Sequence, residues 1–245
     1  MAQGGEAGDR SGRIFTYVIG AGHFGARAAR LTSRDSKGPV VVVDRELQGL
    51  EEIRHLPVQR VRADGIDFLV GRFEDLAEKD LIIPAVPVHL AYLWLKATLR
   101  GEFDLEQSPV PESLKETLPH TWAGSEGSLL VSYADFLCPD DCPEPDACTV
   151  TGERRRPLYE LLGELTAWGR KALVLRSRQV APGVGGYRAG DLKALKHALV
   201  SGGEGHRLLA TACKCHGIVT AFRFVPHKAV PARPGPQDKE KTCSS

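Results

Sequence analysis

An excess of charge of either sign is missing from this sequence. It carries 32 Lys and Arg against 31 Asp and Glu, a formal net charge of +1. That balance gives no support for a nucleic-acid partner, which usually requires a basic face. Long apolar runs are missing too. The longest uncharged stretch, Leu81 to Leu95, has 15 residues and is broken by Pro84, Pro87 and His89. A bilayer-spanning helix needs about 20 apolar residues, so no membrane span is expected. The opening residues, MAQGGEAGDRSGR, lack the apolar segment of a secretory signal, and a cytoplasmic location follows as the expectation. Familiar catalytic strings are also absent: there is no Ser-His-Asp arrangement, no P-loop lysine motif and no HExxH.

What is present is an alternation of apolar runs and helical patterns. Residues 1–12 and 229–245 read as disordered polar tails. Between them, strands are expected at Ile14–Ile19, Val40–Val43, Val58–Val61 and Leu81–Val86. Helices are expected at Phe24–Leu31, Leu47–Ile53, Ile66–Leu76 and His89–Leu99. The four consecutive valines at 40–43 point to a strand buried on both faces. Residues 101–127 read as a long polar connection. The alternation then resumes with strands at Ser128–Phe136, Ala172–Arg176, Leu208–Cys213 and Ile218–Val225, and helices at Leu158–Trp168 and Asp191–Val200. Repeated β-α-β units imply an α/β fold, a doubly wound, mostly parallel Rossmann-like sheet that closes on a C-terminal hairpin. The expected division is a dinucleotide-binding half at 13–105 and a second half at 125–228 that continues the same sheet. Trp94 and Trp168 sit at apolar helical spacing and read as core, and His89 reads as structural.

The sharpest motif is Gly20-Ala21-Gly22-His23-Phe24-Gly25, between the first strand and the first helix. Gly20 permits a tight turn, Gly22 lets a pyrophosphate approach the backbone, and Gly25 lets the helix lie close to the strand. The pyrophosphate would meet the unpaired N–H groups at the helix start. Asp44 closes the second strand, 19 residues after Gly25. A carboxylate there accepts hydrogen bonds from the ribose hydroxyls and repels a 2′-phosphate, which favours NAD. Arg45 beside it keeps NADP open.

From Tyr17 to Glu46 the chain resembles the nucleotide-binding domain of bacterial potassium-transport regulators, the TrkA-N or RCK type. That family shows a GxGxFG turn and an acidic residue closing strand two, matched by Phe24-Gly25 and Asp44. Where it carries Gly-Asp after strand three, this chain has Ala63-Asp64-Gly65. The resemblance covers residues 14–100. It implies a bound NAD(H) held by Gly20, Gly22, His23, Phe24, Gly25, Asp44, Arg45 and Asp64, and a sensor or regulatory role with a protein partner.

The second half carries a different signal. Cys138, Cys142 and Cys148 are spaced C-x3-C-x5-C among three prolines, and Cys213 and Cys215 lie beside His216. Thiolates hold iron–sulfur clusters and zinc. The spacing leaves ligation, free thiols and a disulfide all open. If the strands before Cys138 and Cys213 run parallel to the first strand, both clusters reach the edge that carries the glycine turn. The glycine-rich stretch Ala181–Asp191 could cradle a phosphate, with Arg188 reaching an anionic group, or could be a plain loop with Asp191 as a helix cap. Arg154-Arg155-Arg156 reads as a solvated loop. A competing function is therefore an NAD(P)-linked oxidoreductase or electron-transfer protein, with His216 and Arg188 as the candidate catalytic residues. A homodimer is compatible with such a sheet, and no residue specifies it.

Overall fold

The computed structural model describes residues 12–35 and 38–227. Apart from Gly12, both expected tails and Cys243 lie outside the described residues. The first half runs β1 (Thr16–Ile19), α1 (His23–Asp35), β2 (Val40–Asp44), α2 (Leu47–Glu52), β3 (Gln59–Arg62), α3 (Gly65–Gly71), β4 (Leu81–Pro84) and α4 (Leu90–Thr98). Next come β5 (Phe103–Ser108), α5 (Glu112–Lys115), β6 (His120–Ala123) and β7 (Leu129–Ser132). The remainder is α6 (Leu158–Glu164), β8 (Thr166–Ala167), β9 (Arg170–Lys171), β10 (Leu173–Arg176), β11 (Arg178–Ala181), β12 (Val184–Arg188), α7 (Ala189–Ser201), β13 (Gly205–Ala212) and β14 (His216–Pro226).

The chain is mixed α/β, and its strands form two six-stranded sheets and a small two-stranded one. The first sheet has the order β11-β12-β4-β1-β2-β3. β4, β1, β2 and β3 are parallel, and the β11–β12 hairpin adds antiparallel to β4. The second sheet runs β10-β13-β14-β7-β6, with β5 on the distal half of β14. There β10 and β13 are parallel and the other pairs antiparallel. One continued sheet was expected; instead the second half builds its own sheet and returns only β11 and β12 to the first. The expected parallel majority holds only in the first sheet.

The central strands β1 and β2 of the first sheet are buried on both faces, and their side chains alternate accordingly. Val18, Val40, Val42 and Ile83 face Ala28 and Ala29 of α1 and Leu50 of α2. Tyr17, Ile19, Val41, Val43 and Ile82 face the other way. They share one core with Leu69 of α3, Trp94 and Leu95 of α4, and Leu192, Leu195 and Leu199 of α7. Leu105, Leu175, Leu209, Phe222 and Phe224 of the second sheet join that same core. These helices therefore lie between the sheets. α4 is largely apolar because it buries Leu90, Ala91, Tyr92, Trp94 and Leu95, and it leaves Lys96 exposed. The far face of the second sheet packs Val131, Leu208, Ala210, Val219 and Ala221 against Leu158 and Leu162 of α6.

Two expectations about the second half fail for local reasons. Residues 101–127 hold β5, α5 and β6 rather than a bare connection. β5 (FDLEQS) buries only Leu105 and β6 (HTWA) none, so neither shows an apolar stripe. The helix expected to reach Trp168 stops at Glu164. Trp168 sits at φ +49° in the turn between β8 and β9, 43% exposed and stacked on His206 rather than in the core. Trp94 is fully buried. Among the described residues, no helix is long and apolar enough to cross a membrane.

Candidate nucleotide cleft and cysteine cavity

The glycine turn links β1 to α1 at the carboxyl edge of the parallel strands. Gly20 has φ +104°, and a Cβ there would lie 2.4 Å from the Ala85 carbonyl oxygen. A Cβ on Gly25 would lie 2.0 Å from the Gly20 carbonyl oxygen, whereas one on Gly22 meets nothing within 4 Å. The first and third glycines are thus demanded by the fold. The middle one is not, and it leaves open space before the first turn of α1. His23 and Phe24 begin that helix, and Phe24 is 56% exposed.

Asp44, at the end of β2, braces the turn. Its Oδ2 accepts the Ala21 N–H at 2.5 Å and its Oδ1 accepts the Glu46 N–H at 2.8 Å. Asp64 accepts the N–H groups of Ile66 and Asp67 and so caps α3. It also accepts the Arg45 Nε–H at 2.6 Å. Burial pushes the Asp64 carboxyl upward, but the Asp67 N–H and the Arg45 guanidinium outweigh it and hold the group below the usual carboxylate range. Gly20, Asp44, Arg45, Asp64 and Val86–Val88 line a cleft of about 260 Å³.

A larger cavity of about 880 Å³ lies beside it, lined by Phe24, all five described cysteines and His216. The sulfurs are free thiols, each half-buried. Cys138 follows β7, and Cys213 follows β13. Both strands run antiparallel to β14, so their ends meet at one edge of the second sheet. The Cys213–His216 segment is a tight turn: Cys213 donates its N–H to His216 O, and the N–H groups of Cys215 and His216 point at Cys213 Sγ, at 3.5 and 3.4 Å. His216 lies between two thiols, with Nε2 3.5 Å from Cys138 Sγ and Nδ1 3.9 Å from Cys213 Sγ. Burial lowers the His216 pKa, against the pull of Glu144.

Burial pushes the Cys213 thiol up to about 12, with Glu144 adding to it. Burial, Glu144 and the neighbouring thiols of Cys142, Cys148 and Cys138 push Cys215 up to about 11. Burial raises Cys138 as well, followed by Cys142 and Cys148. Cys148 moves the other way, held down by hydrogen bonds from the N–H groups of Thr151 and Val150 and from the Thr151 hydroxyl. Among the described residues, no three His, Cys, Asp or Glu side chains are grouped as an ion would need with the chain as it stands.

The two regions are tied together by Asp140, Glu144 and Gln179, which the sequence did not single out, acting with His23 and Gly183. His23 Nε2 lies 2.7 Å from Asp140 Oδ2, joining the glycine turn to the cysteine loop. The Cys142 carbonyl accepts both the Gly183 N–H and the Gln179 side-chain N–H, from the β11–β12 hairpin. Gly183 has φ +72°, and a Cβ there would lie 1.6 Å from the Asp140 carbonyl oxygen. Glu144 accepts the Lys214 N–H at 2.7 Å and so links the two cysteine segments. No local pattern marks Asp140 or Glu144, because each acts on a distant partner.

Other expected site residues lie elsewhere. The glycine-rich stretch at 181–191 is the β11–β12 hairpin, not a phosphate loop. Its glycines serve close packing: a Cβ on Gly186 would lie 2.8 Å from the Ile82 carbonyl oxygen. Arg188 ends β12, lines neither cavity, and donates its N–H to Asp191, which also pairs with Arg178. Of the arginine run, Arg154 and Arg155 do line the cysteine cavity; Arg155 lies over Tyr133, and Arg156 forks onto Glu164 with two bonds of 2.6 Å. His89 is buried between Thr220 and Thr211, 2.8 and 2.9 Å from their hydroxyls.

Residues 91–225 match a family described as "Uncharacterized protein, C-terminal domain". The chain is also 31% identical to a protein of Archaeoglobus fulgidus titled "Uncharacterized protein", over 222 residues that cover 84% of this chain and 98% of the relative. The family match holds all five described cysteines and begins after the glycine turn.

Proposed function

The chain belongs to the family of that C-terminal domain and its Archaeoglobus fulgidus relative, and on that premise we propose that it is an NAD(H)-binding protein with a sensor or regulatory role. The observation that carries this reading is the division of labour among the three glycines. Gly20 and Gly25 are sterically required, while Gly22 opens bare backbone to the start of α1. A pyrophosphate is the group that uses such an opening.

The parallel order β4-β1-β2-β3 supports a Rossmann-like reading of this sheet, related to the TrkA-N type. In that reading the adenosine occupies the 260 Å³ cleft. Asp44 spends one acceptor position of each oxygen on the backbone, which leaves others for the ribose hydroxyls. Arg45 is committed to Asp64, which favours NAD over NADP. The nicotinamide end then runs past Gly22 toward Phe24 and the larger cavity. A ligand spanning both regions would report its presence to the cysteine loop through His23 and Asp140.

The test is competitive binding of NADH and NADPH to the full chain. Tighter binding of NADH by roughly tenfold, about 1.4 kcal/mol, is expected, and Asp44→Asn is expected to narrow the gap. Failure of both dinucleotides to bind overturns the proposal.

A second reading is NAD(P)-linked oxidoreduction or electron transfer at the cysteine cavity. It is favoured by one observation: Phe24 and the five cysteines line the same space. His216 would be the proton-handling group, and turnover of NADH with an artificial electron acceptor would distinguish it from sensing.

A further inference from the structure

Five cysteines from two segments at least 65 residues apart in sequence, Cys138–Cys148 and Cys213–Cys215, face one cavity. Nothing in the nucleotide reading uses them. Packing alone does not account for them either, since each is only half-buried where a structural cysteine is commonly fully buried. The chain spends several specific contacts to bring them together. Glu144, at φ +52°, reaches the Lys214 N–H, and Asp146 pairs with the Lys214 ammonium at 2.9 Å. The β11–β12 turn clamps Cys142 from the other sheet through Gly183 and Gln179. Pro139, Pro143 and Pro145 restrict the loop between these anchors.

Backbone N–H groups also converge on sulfur. Cys213 Sγ receives those of Cys215 and His216. Donors aimed at sulfur stabilise a thiolate, the form that binds metal. His216 joins the two segments, with Nε2 3.5 Å from Cys138 Sγ and Nδ1 3.9 Å from Cys213 Sγ.

We propose that the cysteines of this cavity, Cys138, Cys142, Cys148, Cys213 and Cys215, supply the ligands of one thiolate-bound metal centre, an iron–sulfur cluster or a zinc ion, seated beside the glycine turn. Each ligating cysteine exchanges its thiol proton for a metal–sulfur bond and releases the proton to solvent. The Cys213–His216 turn presents Cys213 and Cys215 to the same cavity. Drawing the sulfurs onto one metal requires the Cys138–Cys148 loop to close on Cys215, and the tethers through Glu144 and Cys142 already hold it nearby. The proposal is independent of the nucleotide.

The experiment is anaerobic purification of the full chain from cells supplied with iron and zinc, followed by measurement of iron, acid-labile sulfide, zinc and visible absorption. Metal in stoichiometric amount with the chain is expected. Iron with sulfide and a broad visible band identifies a cluster, and zinc without colour identifies a zinc site; either supports the proposal. Cys142→Ser and Cys215→Ser are each expected to lose the metal, while Cys243→Ser keeps it. Far-UV circular dichroism and the melting temperature establish that each variant is folded. Protein that stays metal-free after reconstitution with iron plus sulfide, and with zinc, overturns the proposal. Full retention of metal in both Cys142→Ser and Cys215→Ser overturns the ligand set. Metal without NADH binding leaves this centre standing and removes the proposed function; NADH binding without metal does the reverse.

Discussion

The glycine turn and the cysteine cavity are neighbours built in opposite ways. The turn is assembled within one β-α-β unit, from residues 16–44, and its bracing contact joins Ala21 to Asp44. The cavity gathers Phe24, the 138–148 loop, the β11–β12 hairpin and the 213–216 turn, and its ties to the glycine turn span 117 residues. The first is made by backbone geometry, so single atoms decide it. The second is made by long-range docking of loops, so many modest contacts share it. Substitutions should therefore act sharply in one region and gradually in the other.

The largest effect is expected at Gly25. Gly25→Val would force a side chain into the Gly20 carbonyl, at a cost of about 3 kcal/mol or more, read as a large drop in melting temperature. Gly22→Ala, three residues before it in open space, should leave stability within about 0.5 kcal/mol of the parent. Equal damage from both would break the distinction between fold-required and ligand-required glycines.

Gly183→Ala should come next. Its positive φ and the close Asp140 carbonyl predict a loss of about 2 kcal/mol, with faster proteolysis inside 138–148 as the sharper readout. An unchanged cleavage rate would mean that the hairpin does not hold the cysteine loop.

His89 gives a pH-dependent effect of similar size outside both regions. Burial lowers its pKa from 6.5 to about 3, so the neutral form is the one that folds. The unfolded chain takes up a proton below pH 6.5 and the folded chain does not until about pH 3. His89 therefore favours the fold above pH 6.5 and this advantage is lost as the pH falls, at up to about 1.4 kcal/mol per unit. By pH 5 the loss is about 2 kcal/mol. Denaturant unfolding from pH 7 to 5 measures it, and His89→Gln, which keeps a donor and an acceptor for the two threonines, should flatten the profile.

The smallest effect is expected at Asp140→Asn. Its partner His23 is exposed, so the pair contributes under about 1 kcal/mol. Salt titration should show that contribution fading. A loss several times larger would mean that the two regions are coupled far more tightly than one exposed pair allows.

The same contrast governs what could be read from the residues. Val40–Val43, the glycine turn and Asp44 are local patterns, and the elements from β1 to α4 lie close to those expected. The β5 and β6 strands escaped because each has at most one buried residue and is defined by pairing with β14 and β7. The β11–β12 hairpin was read as a loop, either phosphate-binding or plain, because glycines that admit a ligand and glycines that admit a neighbouring strand look alike in one dimension. Gly186 is of the second kind, since it makes room for Ile82. The gathering of the cysteines was conditional on their strands running parallel to β1 in one sheet; β7 and β13 lie instead in the second sheet, and the two regions are joined through Asp140, Glu144 and Gly183, whose partners are remote in sequence.

The most direct test of the nucleotide reading is an isothermal titration of NADH into the parent chain and Gly22→Ala, at matched melting temperatures. The account predicts saturable binding to the parent and a weakening of roughly tenfold or more in the variant, about 1.4 kcal/mol. No saturable binding to the parent, or equal affinity in both, would contradict it.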